Sequence, residues 1–165
     1  LLGALAGCQV AVELRHRSWS DRIADTLALL NGYRAALVQI DEPKFRFSIR
    51  HNYLPNVEAF YYMRLHGRNV ANWWRHGKSE DRYDYLYSAG ELKEFSETAD
   101  AVRRLVKKAY LYTNNHFSAK SVANAAMIKQ QLGEPIEGEY PEAYLARYPE
   151  LAGAVKVMAP SRTFF

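Results

Sequence analysis

Four short runs along the chain alternate in the manner of strands. Val10-Ala11-Val12-Glu13-Leu14-Arg15 and Ala36-Leu37-Val38-Gln39-Ile40-Asp41 come first. Phe60-Tyr61-Tyr62-Met63-Arg64-Leu65-His66 and Ala109-Tyr110-Leu111-Tyr112-Thr113-Asn114 follow. β-branched and aromatic residues fill them, and their lengths suit strands. Between them the apolar period lengthens to that of a helix. Ile23, Leu27 and Leu30 form one stripe, with Ser18 or Ser20 as the expected cap and Asn31-Gly32 as the stop. A second helix opens on the capping box Ser88-Ala89-Gly90-Glu91 and aligns Leu92, Phe95, Ala99, Val102 and Val106. Arg103, Arg104, Lys107 and Lys108 load its C-terminal end, where cations suit the helix dipole. A third helix is expected from Ser118 to Leu132, ending at Gly133, with Val122, Ala123 and Ala126 as a small packing face. Pro135, Pro141, Pro149 and Pro160 predict that 133–165 is mostly extended tail with short helical turns. No fixed-period repeat or low-complexity tract appears, so 1–165 reads as a single domain.

Strands alternating with helices imply a parallel sheet with right-handed crossovers. Period-two alternation then sorts the side chains by face. Val10, Val12 and Leu14 oppose Glu13 and Arg15; Val38 and Ile40 oppose Gln39 and Asp41; Tyr61, Met63 and Leu65 oppose Tyr62, Arg64 and His66. Tyr110, Tyr112, Asn114 and His116 share a side of the last strand. Each strand thus has an apolar face for helices and a face that turns polar at its C-terminal end. That pattern predicts an α/β fold of the TIM type, a parallel β/α barrel whose interior opens into a site at the strand ends. An open doubly wound sheet would be apolar on both faces. A complete barrel takes about 250 residues; four βα units make a half barrel, so either the N-terminal half is absent or two copies pair.

Composition narrows the function classes. Apolar residues at 48% and charged residues at 24% are ordinary for a globular domain. The net charge of +4 favours an anionic ligand but is too small to diagnose nucleic-acid binding. One cysteine, Cys8, leaves no intrachain disulfide and fits a reducing, cytoplasmic setting. Leu5-Ala6-Gly7-Cys8 matches the small-residue pattern of a lipoprotein cleavage site, yet it lacks a basic n-region and leads straight into an apolar strand. Cys8 is therefore read as a small core residue at the end of a helix. No run approaches the roughly 18 apolar residues of a membrane span, so no membrane partner is expected.

The strand ends also carry a recognisable series of motifs. Val12-Glu13-Leu14-Arg15-His16-Arg17-Ser18-Trp19 comes first, then Tyr62-Met63-Arg64-Leu65-His66-Gly67-Arg68. Tyr85-Leu86-Tyr87-Ser88 with Glu91-Leu92 follows, and Tyr110-Leu111-Tyr112-Thr113-Asn114-Asn115 with Ala123-Asn124-Ala125 closes the series. From about Val10 to about Leu132 the chain resembles the bacterial YecE-like barrels, domain of unknown function 72. Leu14 stands where that family usually has Phe, and Thr113 where it commonly has Phe. The resemblance implies a TIM-type barrel and supplies no reaction.

The candidate chemistry sits on those motifs. Arg15, Arg64 and Arg68 offer paired N–H donors for a phosphate, a carboxylate or a sugar-type ligand. His66 is the first candidate general acid or base, with Glu13 and Asp41 next as base or as partners that orient an arginine. Asn114, Asn115 and Tyr87 would add neutral hydrogen bonds, and the motifs bring His16, Trp19 and Tyr85 into the same candidate set. The bland alternative is a salt-bridge network, Glu13–Arg15–Asp41–Arg64, that only satisfies charge. A metal site built from Glu13, Asp41, His66 and His116 is a second reading, opposed by the arginines in the same layer. The third is nucleic-acid binding by 68–87, which interleaves Trp73, Trp74, Tyr83 and Tyr85 with Arg75, His76, Lys78 and Arg82 but also holds Glu80, Asp81 and Asp84. A lid over the strand ends, its aromatics packed or stacked on a sugar ring, suits that loop better. His51 and His76 read as solvated loop histidines. The cofactor and the oligomeric state are left open.

Overall fold

In the computed structural model, residues 1–50, 54–75 and 77–159 are described; His51, His76 and Pro160 lie outside them. Strand β1 (Ala11–Val12) pairs in parallel with β2 (Ala36–Leu37), and β3 (Gln39–Asp41) pairs in parallel with β4 (Tyr61–Leu65). β4 in turn pairs in parallel with β5 (Ala109–Thr113). The run from Ala36 to Asp41 serves two neighbours, its first residues bonding to β1 and its last to β4. All four expected strands are present, parallel and placed side by side in chain order.

Helix α1 (Arg17–Asp21) and helix α2 (Ile23–Gly32) follow β1. The expected serine caps do not form: α2 starts from Arg22 without a side-chain cap. The short α1 ahead of it is capped by His16, whose side chain accepts from the Ser18 amide, while Ser20 Oγ donates to the Arg17 carbonyl and accepts from the Arg50 amide. Leu30, Ala35 and Leu37 are buried with Val12, Leu14, Ile23 and Leu27 packed on them. Helix α3 (Ala89–Val102) starts on the expected capping box, Ser88 and Glu91 each accepting from the other's backbone amide. It ends at Val102, so the basic residues from Arg103 onward lie beyond it, and Arg103 pairs with Asp100 and Glu134.

Helix α4 (Lys120–Gln131) buries Ala123, Ala126, Met127 and Ile128, whereas Val122 is exposed. The expected small face is therefore corrected by one helical step: a residue next to Ala123 points about 100° away from it. Cys8 is likewise exposed and no core residue. The tail is more structured than its prolines suggest. β6 (Glu139–Tyr140) pairs in parallel with β7 (Lys156–Val157) across α5 (Glu142–Arg147), and Tyr148 and Leu151 enter the main core. Two non-glycine residues ahead of α4, Ser118 and Ala119, have φ of 54° and 61°. Their carbonyls accept from the Tyr148 and Tyr144 hydroxyls, which hold this left-handed corner in place.

The main core joins Tyr61, Met63 and Leu65 of β4 to Tyr87, Leu92, Phe95, Val102, Ala126 and Met127. Leu65 is fully enclosed there. Leu65→Ala is expected to cost roughly 2–5 kcal/mol in denaturant unfolding, the range for a leucine removed from a core that cannot collapse around the gap.

Candidate active site at the strand ends

Register decides which polar groups meet. Ile40 pairs with Arg64, Asp41 with Leu65, and Arg64 with Tyr112. Paired residues in a sheet project to the same side, and their neighbours in sequence to the other. Leu65 belongs to the helix-side core, so Asp41 points toward the helices, and Ile40 and Arg64 point the opposite way. The expectation that Asp41 shares a face with Glu13, Arg64 and His66 is corrected here. Glu42, one residue on, takes that place.

On the open side, Glu13 ties the first group together. Its Oε1 accepts from Arg15 at 2.8 Å through Nε and 2.7 Å from Nη2, while Oε2 accepts from Arg64 Nη1 at 2.6 Å. Arg15 Nη1 also reaches Glu42 at 3.3 Å. His66 is completely buried, with Nε2 3.4 Å from Glu13 Oε1 and 3.2 Å from Arg15 Nη2. Asn114 Nδ2 lies 3.0 Å from His66 Nδ1. With Asn114 donating to Nδ1, the neutral ring carries its hydrogen on Nε2, toward the Glu13 carboxylate.

The ionisation of this group follows from burial and charge. Burial alone would raise the Glu13 carboxyl, but the hydrogen bond to His66 and the nearby His66, Arg15 and Arg64 lower it to about 2. Burial lowers His66 and prevails over the Glu13 carboxylate that pulls the other way. Burial raises Glu42, with Arg15 opposing. Glu13 is thus a fixed negative charge at neutral pH, His66 a neutral ring, and Glu42 the carboxyl displaced toward neutrality.

A second group lies on the helix side of the same strand ends. Asp41 Oδ2 accepts from the Tyr87 hydroxyl at 2.7 Å and from Arg68 Nε at 2.8 Å; Oδ1 accepts from Arg68 Nη2 at 2.9 Å and Lys44 Nζ at 3.2 Å. Arg68 also donates to Glu94 at 2.5 Å. Burial opposes its charge, but Asp41 and Glu94 outweigh that and push its pKa further up. The Tyr85 hydroxyl donates to Glu91 at 2.5 Å, and burial together with Glu91 raises it to about 12. Asn115 is buried behind them, its Nδ2 donating to the Tyr85 carbonyl and to Asn124. Among the described residues its Oδ1 has no hydrogen-bond partner.

The structure therefore divides the expected site. Glu13, Arg15, Arg64, His66 and Asn114 come together; Asp41, Arg68, Tyr85 and Tyr87 form the separate helix-side group, with Asn115 bonded to the Tyr85 backbone. His16 lies beside Arg15, while Trp19 sits over α2 in a hollow with Arg22, Asp25 and Leu29. Among the described residues no three His, Cys, Asp or Glu side chains converge as metal ligands, so Glu13, Asp41, His66 and His116 do not form one set. Tyr83, from the 68–87 loop, lies over the ring of His66 at 6.4 Å and beside His116 at 5.1 Å. Arg68 at the start of that loop is engaged with Asp41 and Glu94, and the loop's Asp84 is held by Lys120 of α4. Sequence reasoning missed Glu42, which reaches Arg15, and Phe45 and Phe47 beside them, whereas Tyr83 was named only as one aromatic of the 68–87 loop. The Asp41-Glu42 doublet was the available signal, because only one of two adjacent residues can face the open side. A hollow of about 690 Å³ between α3 and α4 collects none of these groups.

The family described as "Protein of unknown function DUF72" matches residues 1–146. The chain belongs to the DUF72 family. It is 34% identical to a DUF72 family protein of known crystal structure from Thermotoga maritima, with a TM-score of 0.70 over 78% of this chain and 47% of that one. A DUF72 family protein from Enterococcus faecalis shares the fold at 22% identity and a TM-score of 0.74, covering 82% of this chain and 51% of its own. The chain spans about half the length of these relatives. No curated protein matches it. No described helix is long and apolar enough to cross a membrane.

In this DUF72 chain Gly67 is what separates the two groups. Its φ of 92° turns the backbone between His66 and Arg68, and an added Cβ would stand 2.8 Å from that of Tyr85. Gly67→Ala is expected to cost roughly 2–4 kcal/mol, from backbone strain plus overpacking, in chemical denaturation. Within the first group His66 and Glu13 make stability fall on acidification, while the raised Glu42 acts in the opposite direction above 4.5. The lowered His66 favours the neutral ring, so its contribution is complete above the unfolded value near 6.5 and declines as the unfolded chain takes up a proton. The lowered Glu13 contributes fully above 4.5 and loses that contribution as pH falls toward about 2. Denaturation midpoints should drop from pH 7 downward, His66→Gln should flatten the first part of the curve, and Glu13→Gln the part below 4.5.

Proposed function

We propose that this DUF72 chain is the C-terminal half of a TIM-type parallel β/α barrel and that its strand ends bind and act on a small polyhydroxylated molecule, a sugar. Four parallel strands in chain order, helices packed on one side and polar groups gathered at the C-terminal ends support the barrel. The relatives, at about twice the matched length, have room for the other half.

The observation that carries the substrate class is the sharing of Glu13 between Arg15 and Arg64, with Arg15 also on Glu42. Each guanidinium already faces a carboxylate, so the group offers donors and acceptors in alternation. Vicinal hydroxyls, each a donor and an acceptor, match that alternation. A phosphate would need arginines without countercharge and would meet the Glu13 and Glu42 carboxylates instead. Glu42, raised by burial, is the carboxyl of the group displaced toward holding a proton, which makes it the candidate acid. Arg64 and Glu13 orient the ligand, and buried His66 steadies Glu13 as a positioning residue.

Thermal unfolding with D-glucuronate, D-glucose or inorganic phosphate tests this. A saccharide at about 100 times its Kd should stabilise the chain by about 2.7 kcal/mol. Arg64→Ala should remove that stabilisation. Stabilisation by phosphate with both saccharides inert would refute the reading, as would an undiminished saccharide effect in Arg64→Ala.

A further inference from the structure

We propose that the hollow beside Arg15 is a ring subsite that takes one pyranose-sized ring of the ligand; this rests on the reading of the strand ends as a saccharide site. The hollow is lined by the polar Arg15, His16 and Glu42 and by the aromatic Phe45, Phe47, Trp73 and Trp74. Its volume is about 150 Å³. An apolar cavity of about that size holds a single benzene-sized ring, so the hollow suits one ring and excludes a dinucleotide.

The aromatic wall is built by pairing after β3. The segment around Ser48 runs antiparallel to His16, with the Arg17 amide on the Phe47 carbonyl at 2.7 Å and the Ile49 amide on the Arg15 carbonyl at 2.8 Å. This sets Phe47 beside Arg15 and stacks it on Phe45, ring centres 5.5 Å apart. Trp74 closes on both, 5.8 Å from Phe45 and 6.0 Å from Phe47. Trp73 is buried beneath, yet Trp74 is 64% exposed and Phe47 46% exposed. Exposed aromatics grouped against a charged pair mark a binding surface more often than a core edge.

Phe45 and Phe47 stack on each other and Trp74 lies tilted against both, so the rings make one continuous wall and leave no slot between parallel faces for a flat base. A pyranose sets C–H groups against one aromatic face and turns its hydroxyls to the rim, where Glu42 accepts and Arg15 donates. The hollow is continuous with the strand-end group, because Arg15 and Glu42 belong to both. Trp73 and Tyr83 extend the aromatic contact from Phe45 to His66.

Tryptophan emission of the chain, titrated with D-glucose, D-glucuronate and adenosine, tests the subsite. A saccharide should change the emission, Trp74→Ala should weaken its binding roughly tenfold, and Trp74→Phe should retain most of it. Phe47→Ala should weaken it in the same direction. Unchanged affinity in both alanine variants, with binding still lost in Arg64→Ala, would overturn the subsite and keep the strand-end reading. Full binding in Arg64→Ala together with its loss in Trp74→Ala would do the reverse. Preference for adenosine, or binding of none of the three, would overturn the saccharide subsite.

Discussion

The pairing of Ile40 with Arg64 governs the chemistry of the strand ends, because side chains alternate strictly along a strand. With that register, Glu42 falls beside Arg15, and Asp41 is directed to Tyr87 and Arg68 behind the sheet. A slip of one residue would exchange the two acids. It would also send Val38 and Ile40 into the helix layer and bring Leu37 and Gln39 out of it. The apolar contacts of Ile40 and Leu37 thus hold the carboxylates in place more firmly than any ion pair between exposed partners.

The alternation of apolar and polar positions carried most of the fold. Strand locations, their parallel sense and the Ser88–Glu91 cap follow from local rules, since each depends on neighbours within a few residues. The face assignment at Asp41 does not. Val38 and Ile40 are apolar yet turn to the open side with Tyr62, so hydrophobicity alone pointed the wrong way. Trp19 and Arg15 are close in sequence, but α1 begins between them and carries Trp19 over α2. The aromatic wall of Phe45, Phe47 and Trp74 brings together segments almost thirty residues apart through ring contacts that no periodicity announces.

Charge within the open group is nearly self-contained. Glu13 and Glu42 face Arg15 and Arg64, and His66 stays neutral by burial. Such a group resists capturing ions from solution and leaves hydrogen-bond direction as its main source of discrimination. The modest positive charge of the whole chain, +4, therefore says little about the ligand.

The left-handed corner at Ser118 and Ala119 links two distant parts of the chain. It begins only a few residues after Asn114, and the hydroxyls of Tyr144 and Tyr148 fasten it from the tail. Asn114 itself is held by its amide on the Leu65 carbonyl, so the strand end and the segment around Tyr144 and Tyr148 meet at one short turn, each with its own fastening.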